Sequence, residues 1–188
     1  MKYLNKDLFK NWYLYLVLGF DLVAIILRYF VTKAYVNNIV IESMCMVILV
    51  LLSVFAFIDK MSSVVPDRLL AVSVMLWVIM VGGYIVVARD EGIALLMFSL
   101  GGAFIAGLVF LLCYLITKGQ LGGGDVKLAF VMGFFLTIDR IIPTILYGTL
   151  ACSLFSIILL IMKKTTLKST MPLVPFLHFG LCLTLVLM

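Results

Sequence analysis

Leu121-Gly122-Gly123-Gly124-Asp125-Val126-Lys127-Leu128-Ala129-Phe130-Val131-Met132-Gly133-Phe134-Phe135-Leu136-Thr137-Ile138 is the stretch on which the topology turns. Three consecutive glycines lead to one acid and then to an apolar run from Val126 to Ile138. As a helix that run reaches only about 20 Å, against roughly 30 Å for a hydrocarbon core. Counted as a span, it gives the chain seven, and it puts Asp125 on the same side of the membrane as Asp59. Left out, it gives six and separates the two acids. Glycine-rich, non-helical backbone at membrane depth is tolerated only where it lines a hydrated cavity. The stretch therefore predicts Asp125 in a water-filled recess.

The chain of 188 residues is 65% hydrophobic and 12% charged. Soluble domains are about half apolar and about a quarter charged, so this is an all-α, polytopic integral membrane bundle of six to seven helices, with the lipid bilayer as its first partner. Such a count leaves no room for a sizeable soluble domain. Basic residues interleaved with aromatics, as a nucleic-acid groove needs, are missing, so no nucleic-acid partner is expected. Cys45, Cys113, Cys152 and Cys182 are far apart and fall in apolar stretches. No CxxC pair exists, no metal or cofactor is expected, and the cysteines read as small buried hydrophobes. Lys2, Lys6 and Lys10 precede an apolar segment as in a signal peptide. That segment is long, carries Asp21 and Arg28 and lacks a small-residue cleavage site, so it reads as a retained first span.

The spans run about Trp12–Val31, Ile39–Ile58, Leu69–Ala88, Gly92–Thr117, Val126–Ile138, Ile141–Met162 and Met171–Met188. Asp21 and Arg28, seven apart, share a helix face that points into the bundle. Asp21 reads as a structural hydrogen-bonding group and Arg28 as snorkelling to the interface, with a substrate-groove role as the alternative. Glu42 falls near an interface. Pro66 breaks the chain after the second span, and Arg89-Asp90-Glu91 closes the third. Gly82-Gly83 allows a kink or close packing. Gly102 with Ala106, and Ala103 with Gly107, are small pairs four apart that let helices approach closely. Asp139-Arg140 and Pro143 make the turn between spans five and six. His178 reads as a packed or interfacial residue.

With the N-terminus inside and seven spans, the inner side holds Lys2, Lys6, Lys10, Lys60, Arg68, Lys118, Lys127, Lys163, Lys164 and Lys168, and the outer side Arg28, Lys33, Arg89 and Arg140. Basic residues favour the cytoplasm. Asp59 and Asp125 then both lie at cytoplasmic ends of their spans. Two neighbouring carboxylates share a proton. The neutral one can donate to a carbonyl oxygen while the ionised one takes a proton from water, which is metal-free aspartyl-protease chemistry. Taken singly, Asp59 also reads as a solvated helix-end residue and Asp125 as an N-cap. Asp59 lies at a helix C-terminus and Asp125 at an N-terminus, which predicts that Asp59 holds the shared proton and Asp125 is the base.

Gly122-Gly123-Gly124-Asp125-Val126-Lys127-Leu128 resembles the G-x-G-D-x-K-L box of type IV prepilin peptidases. Phe57-Ile58-Asp59 followed by Pro66 is similar to their first box, an Asp near a span end and then Ile-Pro-Asn. Pro172-Leu173-Val174-Pro175-Phe176-Leu177 with Gly180 resembles their C-terminal Pro-Phe-Gly-Pro-Phe-Leu segment. The similarity spans about residues 55–185. Asp67 stands where the family usually has Asn, and Val174 where Gly is common. The resemblance implies one transmembrane peptidase domain over 1–188, with boxes at about 55–68, 121–128 and 171–180. It implies Asp59 and Asp125 as catalytic residues, with Gly122, Gly124, Lys127, Pro66 and Asp67 binding substrate or supporting the site. It further implies removal of a basic leader from prepilin-like precursors at the cytoplasmic face of the cell membrane, serving a pilus or secretion system. The four-cysteine zinc-binding segment of larger members is absent, which implies no methyltransferase activity. Two other functions compete. A presenilin-type intramembrane protease shares G-x-G-D, but usually has Tyr-Asp where this chain has Ile58-Asp59, and Pro-Ala-Leu where it has Pro172-Leu173. A small transporter or scaffold would use the acids to bind protons or substrate.

Overall fold

The computed structural model describes residues 12–31, 38–62, 64–118, 121–163 and 172–188. Lys2, Lys6, Lys10, Lys33, Lys164 and Lys168 of the charge count lie outside these, as do Gly119, Gln120 and Met171. The described residues form the all-α bundle that the sequence predicts: α1 (Trp12–Val31), α2 (Ile39–Ser62), α3 (Asp67–Val87), α4 (Arg89–Ile116), α5 (Gly123–Ile161) and α6 (Val174–Leu187), with no strand among them. Four of these helices, α2 to α5, are long and apolar enough to cross a membrane.

Helix α2 is the post around which the others pack. Asn38 starts it, its side-chain oxygen accepting from the Val40 amide at 2.9 Å, a usual Asn role at a helix start. Met44, Cys45, Ile48, Leu49, Leu52, Phe55 and Ala56 are all buried. Their steps of three and four put them on one face. Val50 and Val54 on the other side are exposed, as a lipid-facing surface should be.

The third span ends at Val87, as expected to within a residue. Arg89-Asp90-Glu91 opens α4 instead of closing α3, and the break between the helices is Ala88 alone. Acidic residues are favoured in a first helical turn by the helix dipole. The turn is tight: a Cβ on Gly92 would lie 2.6 Å from the Ile85 Cα. Gly82 and Gly83 have nothing near them and neither break nor pack the helix.

Spans five and six are joined in α5, and the turn between them is not at Asp139, Arg140 and Pro143. Thr137 makes it alone, with φ 58° and ψ −178°. The contacts show that the chain reverses there. The first arm runs antiparallel to α4, with Gly107 against Phe130, Gly102 against Gly133 and Gly101 against Ile138. The second runs antiparallel to α6, with Gly148 against Leu177 and Thr144 against both Gly180 and Thr184. Helix α2 serves as the common ruler. Its Glu42 end is bonded to Arg140 at 2.6 Å, and its Asp59 end faces the starts of α5 and α6. The short piece beginning at Val126 is therefore a separate ascending arm. The φ/ψ of Thr137 is one that glycine alone adopts readily and costs on the order of 1–3 kcal/mol. It persists because tight packing surrounds it: a Cβ on Gly102 would sit 2.6 Å from the Thr137 carbonyl carbon. The small-residue spacing in α4 thus has its predicted use.

Candidate active site

Three helix ends, those of α2, α3 and α5, converge on one cavity of about 300 Å³. The last turn of α2 supplies Asp59, and the cap and first turns of α5 supply Gly122, Gly123, Gly124, Asp125 and Lys127. The α2–α3 link supplies Val64 and Val65, and α3 begins with Asp67. Pro66, between these two, is the N-cap of α3 in extended conformation, so it sets the direction in which Asp67 leaves the link. Helix α6 adjoins the site without lining the cavity: its Val174 amide donates to Asp59 Oδ2 at 3.3 Å.

Asp59 is buried, 6% exposed. Asp125 is half-buried and is the third residue of α5, so it is not the N-cap that the sequence suggested. Gly122 occupies the cap position. The Asp125 carboxylate folds back towards Gly122, where a Cβ would come within 3.2 Å of Oδ2. An acid three residues after the cap commonly reaches back in this way to satisfy an otherwise unpaired amide. The predicted asymmetry between the two acids also needs correction. Asp59 lies at the C-terminal end of its own helix, but the first amide of α6 points at it. Each acid therefore has a helix N-terminus beside it, and the helix dipoles do not decide which one holds a shared proton.

The glycines differ in what they do. Nothing lies within 4 Å of a Cβ built on Gly123, which leaves that part of the cavity wall open. Gly124 packs on the link, where a Cβ would lie 3.0 Å from the Val65 Cβ. Asp67 and Lys127 form an ion pair at 2.6 Å across the rim, with both side chains largely in solvent. This pair gives a physical account of one departure from the family's pattern, because Asp67 is the ionic partner of Lys127. Val174 reaches Asp59 through its backbone, so the identity of its side chain does not affect that contact.

Other residues were not drawn to the site by sequence reasoning. Tyr13, in the first turn of α1, is close enough to Asp59 to feel its charge. Asp21, Ser53 and His178 meet inside the bundle, with Asp21 Oδ1 2.6 Å from His178 Nε2 and Asp21 Oδ2 accepting from Ser53 Oγ at 2.5 Å. Ionisable residues in mid-span were the available signal, but nothing in the one-dimensional pattern joins position 21 to position 178. At the far end of α2, Glu42 is bound by Arg28 and Arg140, each at 2.6 Å. Arg28 therefore does not snorkel. Its second arm donates to the Leu185 carbonyl at 2.6 Å, which ties α1 to the end of α6.

A profile of the type IV leader peptidase family matches residues 46–157. The match covers more than half of the chain, including Asp59 and Asp125, and the chain belongs to that family. Comparison with curated proteins and with solved structures returned no match.

Proposed function

We propose that this multi-pass leader peptidase is an aspartyl endopeptidase in which Asp59 and Asp125 activate water to remove a basic leader from prepilin-like precursors. The observation that carries the reading is the shared cavity. Two acids 66 positions apart in the chain face one recess, and neither is in an ion pair among the described residues. Carboxylates confined in this way hold one proton between them. The protonated acid donates to the scissile carbonyl oxygen, and the other takes a proton from water as it attacks the carbonyl carbon. The open wall at Gly123 admits an extended peptide to the backbone of the glycine run. Gly122 and Gly124 keep that run close to Asp125 and to the link. Pro66, Asp67 and Lys127 hold the rim.

The cavity faces the cytoplasm in this reading. The distribution of Lys and Arg supports it, as does the nearness of Tyr13, at the start of α1, to Asp59. The precursor's basic leader would approach from that side, with its apolar helix in the bilayer beside α2 and α6. The whole chain acts as one peptidase domain of the cell membrane and requires no cofactor for this step.

Co-expression with a prepilin-like precursor tests the reading. Wild-type protein should convert the precursor to a shorter form, and Asp59→Asn or Asp125→Asn should leave it full length. Cleavage that persists in both variants removes the dyad. Cleavage inside the precursor's apolar helix, mapped by mass spectrometry of the product, would favour a presenilin-type reaction instead.

A further inference from the structure

The buried cluster at the middle of the bundle has the donor set of a metal site. Asp21 comes from α1, Ser53 from α2, and His178 and Cys182 from α6. All four are buried, none more than 8% exposed. Three electron-pair donors converge on one ring nitrogen. Around His178 Nε2 lie Asp21 Oδ1 at 2.6 Å, Ser53 Oγ at 3.3 Å and Cys182 Sγ at 3.9 Å. The donor atoms of Asp21, His178 and Cys182 all lie within 4.8 Å of one another. His178 and Cys182 are four apart and so project from one face of α6, a spacing that lets one helix supply two ligands to one ion.

A Ser–His–Asp catalytic relay does not fit this geometry. A relay needs the hydroxyl on one ring nitrogen and the carboxylate on the other, and here both are on Nε2. Protons account for the two Asp21 contacts, one between His178 Nε2 and Asp21 Oδ1 and one from Ser53 Oγ to Asp21 Oδ2, but they give Cys182 Sγ no strong partner there. A cation would gather the carboxylate, imidazole and thiolate on one centre. Tetrahedral zinc holds His at about 2.0 Å and Cys at about 2.3 Å, which sets ligand atoms roughly 3.3–3.8 Å apart. The observed spacing to Ser53 and Cys182 is close to this, and the Asp21–His178 contact needs to open by a fraction of an ångström.

We propose that Asp21, His178 and Cys182 form an intramembrane site for a borderline-soft divalent ion of the zinc type, with the Ser53 hydroxyl or a water in the fourth position. Mixed N, O and S donors select such ions over magnesium or calcium. Binding releases the Cys182 thiol proton, since the ligand is the thiolate, and the imidazole binds in its neutral form. The dication with one carboxylate and one thiolate is then neutral overall, as a low-dielectric interior requires. The site would lock α1 and α2 to α6 one helical turn, about 6 Å, from the Val174 amide that holds Asp59. It is independent of the peptidase reading, since no step of that reaction passes through it, and it departs from the sequence expectation that no metal is bound.

The test uses the full-length protein purified in detergent from zinc-supplemented cells, freed of loose metal on a chelating resin and analysed for metal per chain. Wild type should hold about one zinc per chain. Cys182→Ser, a small change in a helix interior, should lower retention by about tenfold or more. Cobalt loaded in place of zinc should give a thiolate-to-cobalt charge-transfer band in wild type that Cys182→Ser lacks. Wild type without retained zinc overturns the site, and so does equal zinc in wild type and Cys182→Ser. A cobalt spectrum without the thiolate band overturns it even where metal is retained, because the ion would then sit elsewhere. Retained helicity by circular dichroism separates loss of a ligand from loss of fold.

Discussion

The two ends of α2 carry acids in opposite circumstances. At one end Glu42 is gripped by Arg28 and Arg140, each at 2.6 Å, and all three side chains are largely shielded from solvent. At the other end Asp59 receives one backbone amide and faces a cavity shared with Asp125, with no cation bound to either among the described residues. The same post thus presents a satisfied acid and an unsatisfied one. A paired acid within an apolar bundle fastens helices, here α1, α2 and α5. An acid left without a counter-charge beside an open cavity is placed where it can exchange protons. The difference teaches which carboxylate is architecture and which is available for chemistry, although both stand on one helix.

Substitution at each end should separate the two roles. The largest effect is expected at the cavity, where Asp125→Asn should lower precursor cleavage by about a thousandfold or more. Thermal unfolding in detergent should change little. A large drop in melting temperature would show that Asp125 is architectural after all. At the far end the pattern should invert. Glu42→Gln leaves two shielded guanidiniums without their shared partner and should cost about 3 kcal/mol of stability, with catalysis by the remaining folded protein retained. Unchanged unfolding would break the contrast from the other side.

Smaller effects sharpen it. Gly133→Ala puts a Cβ 2.4 Å from the Ala103 Cα, and overpacking of this kind costs about 1–3 kcal/mol. Its signature is lowered stability, read by thermal unfolding. Gly124→Ala meets Val65 at 3.0 Å and should displace the link beside the cavity. Cleavage should fall by about tenfold, since small misplacements are costly in positioning, while stability stays near wild type. The least effect is expected for Lys127→Met. Its pair with Asp67 is solvent-exposed and contributes under about 1 kcal/mol, so cleavage should differ from wild type mainly at low salt.

Much of this was legible in the sequence, for identifiable reasons. Apolar runs of about twenty residues state their own need for a lipid environment, so helix number and approximate extent follow from composition and length. The glycine run and its acid stand out because polar groups are rare in such a chain. The boundaries that were misplaced share one cause. Arg89-Asp90-Glu91 reads as the close of a span and Asp139-Arg140 as a turn, because both groups are charged. In the fold the first group opens a helix whose dipole favours its acids, and Arg140 turns inward to Glu42. Nothing local marks Thr137 as the reversal point, since a β-branched residue is among the least expected at positive φ.

The sequence by itself determined an all-helical membrane protein, the positions of Asp59 and Asp125 near span ends, and the small-residue seam of α4. These are properties of composition and short-range spacing, which a linear chain displays. Only the tertiary structure decided that α6 offers its first amide to Asp59, that Glu42 joins two arginines, and that Asp21 meets His178 and Cys182. Those contacts join residues up to 161 positions apart. Burial penalises a polar group that lacks a partner, and which partner it finds depends on how the helices pack.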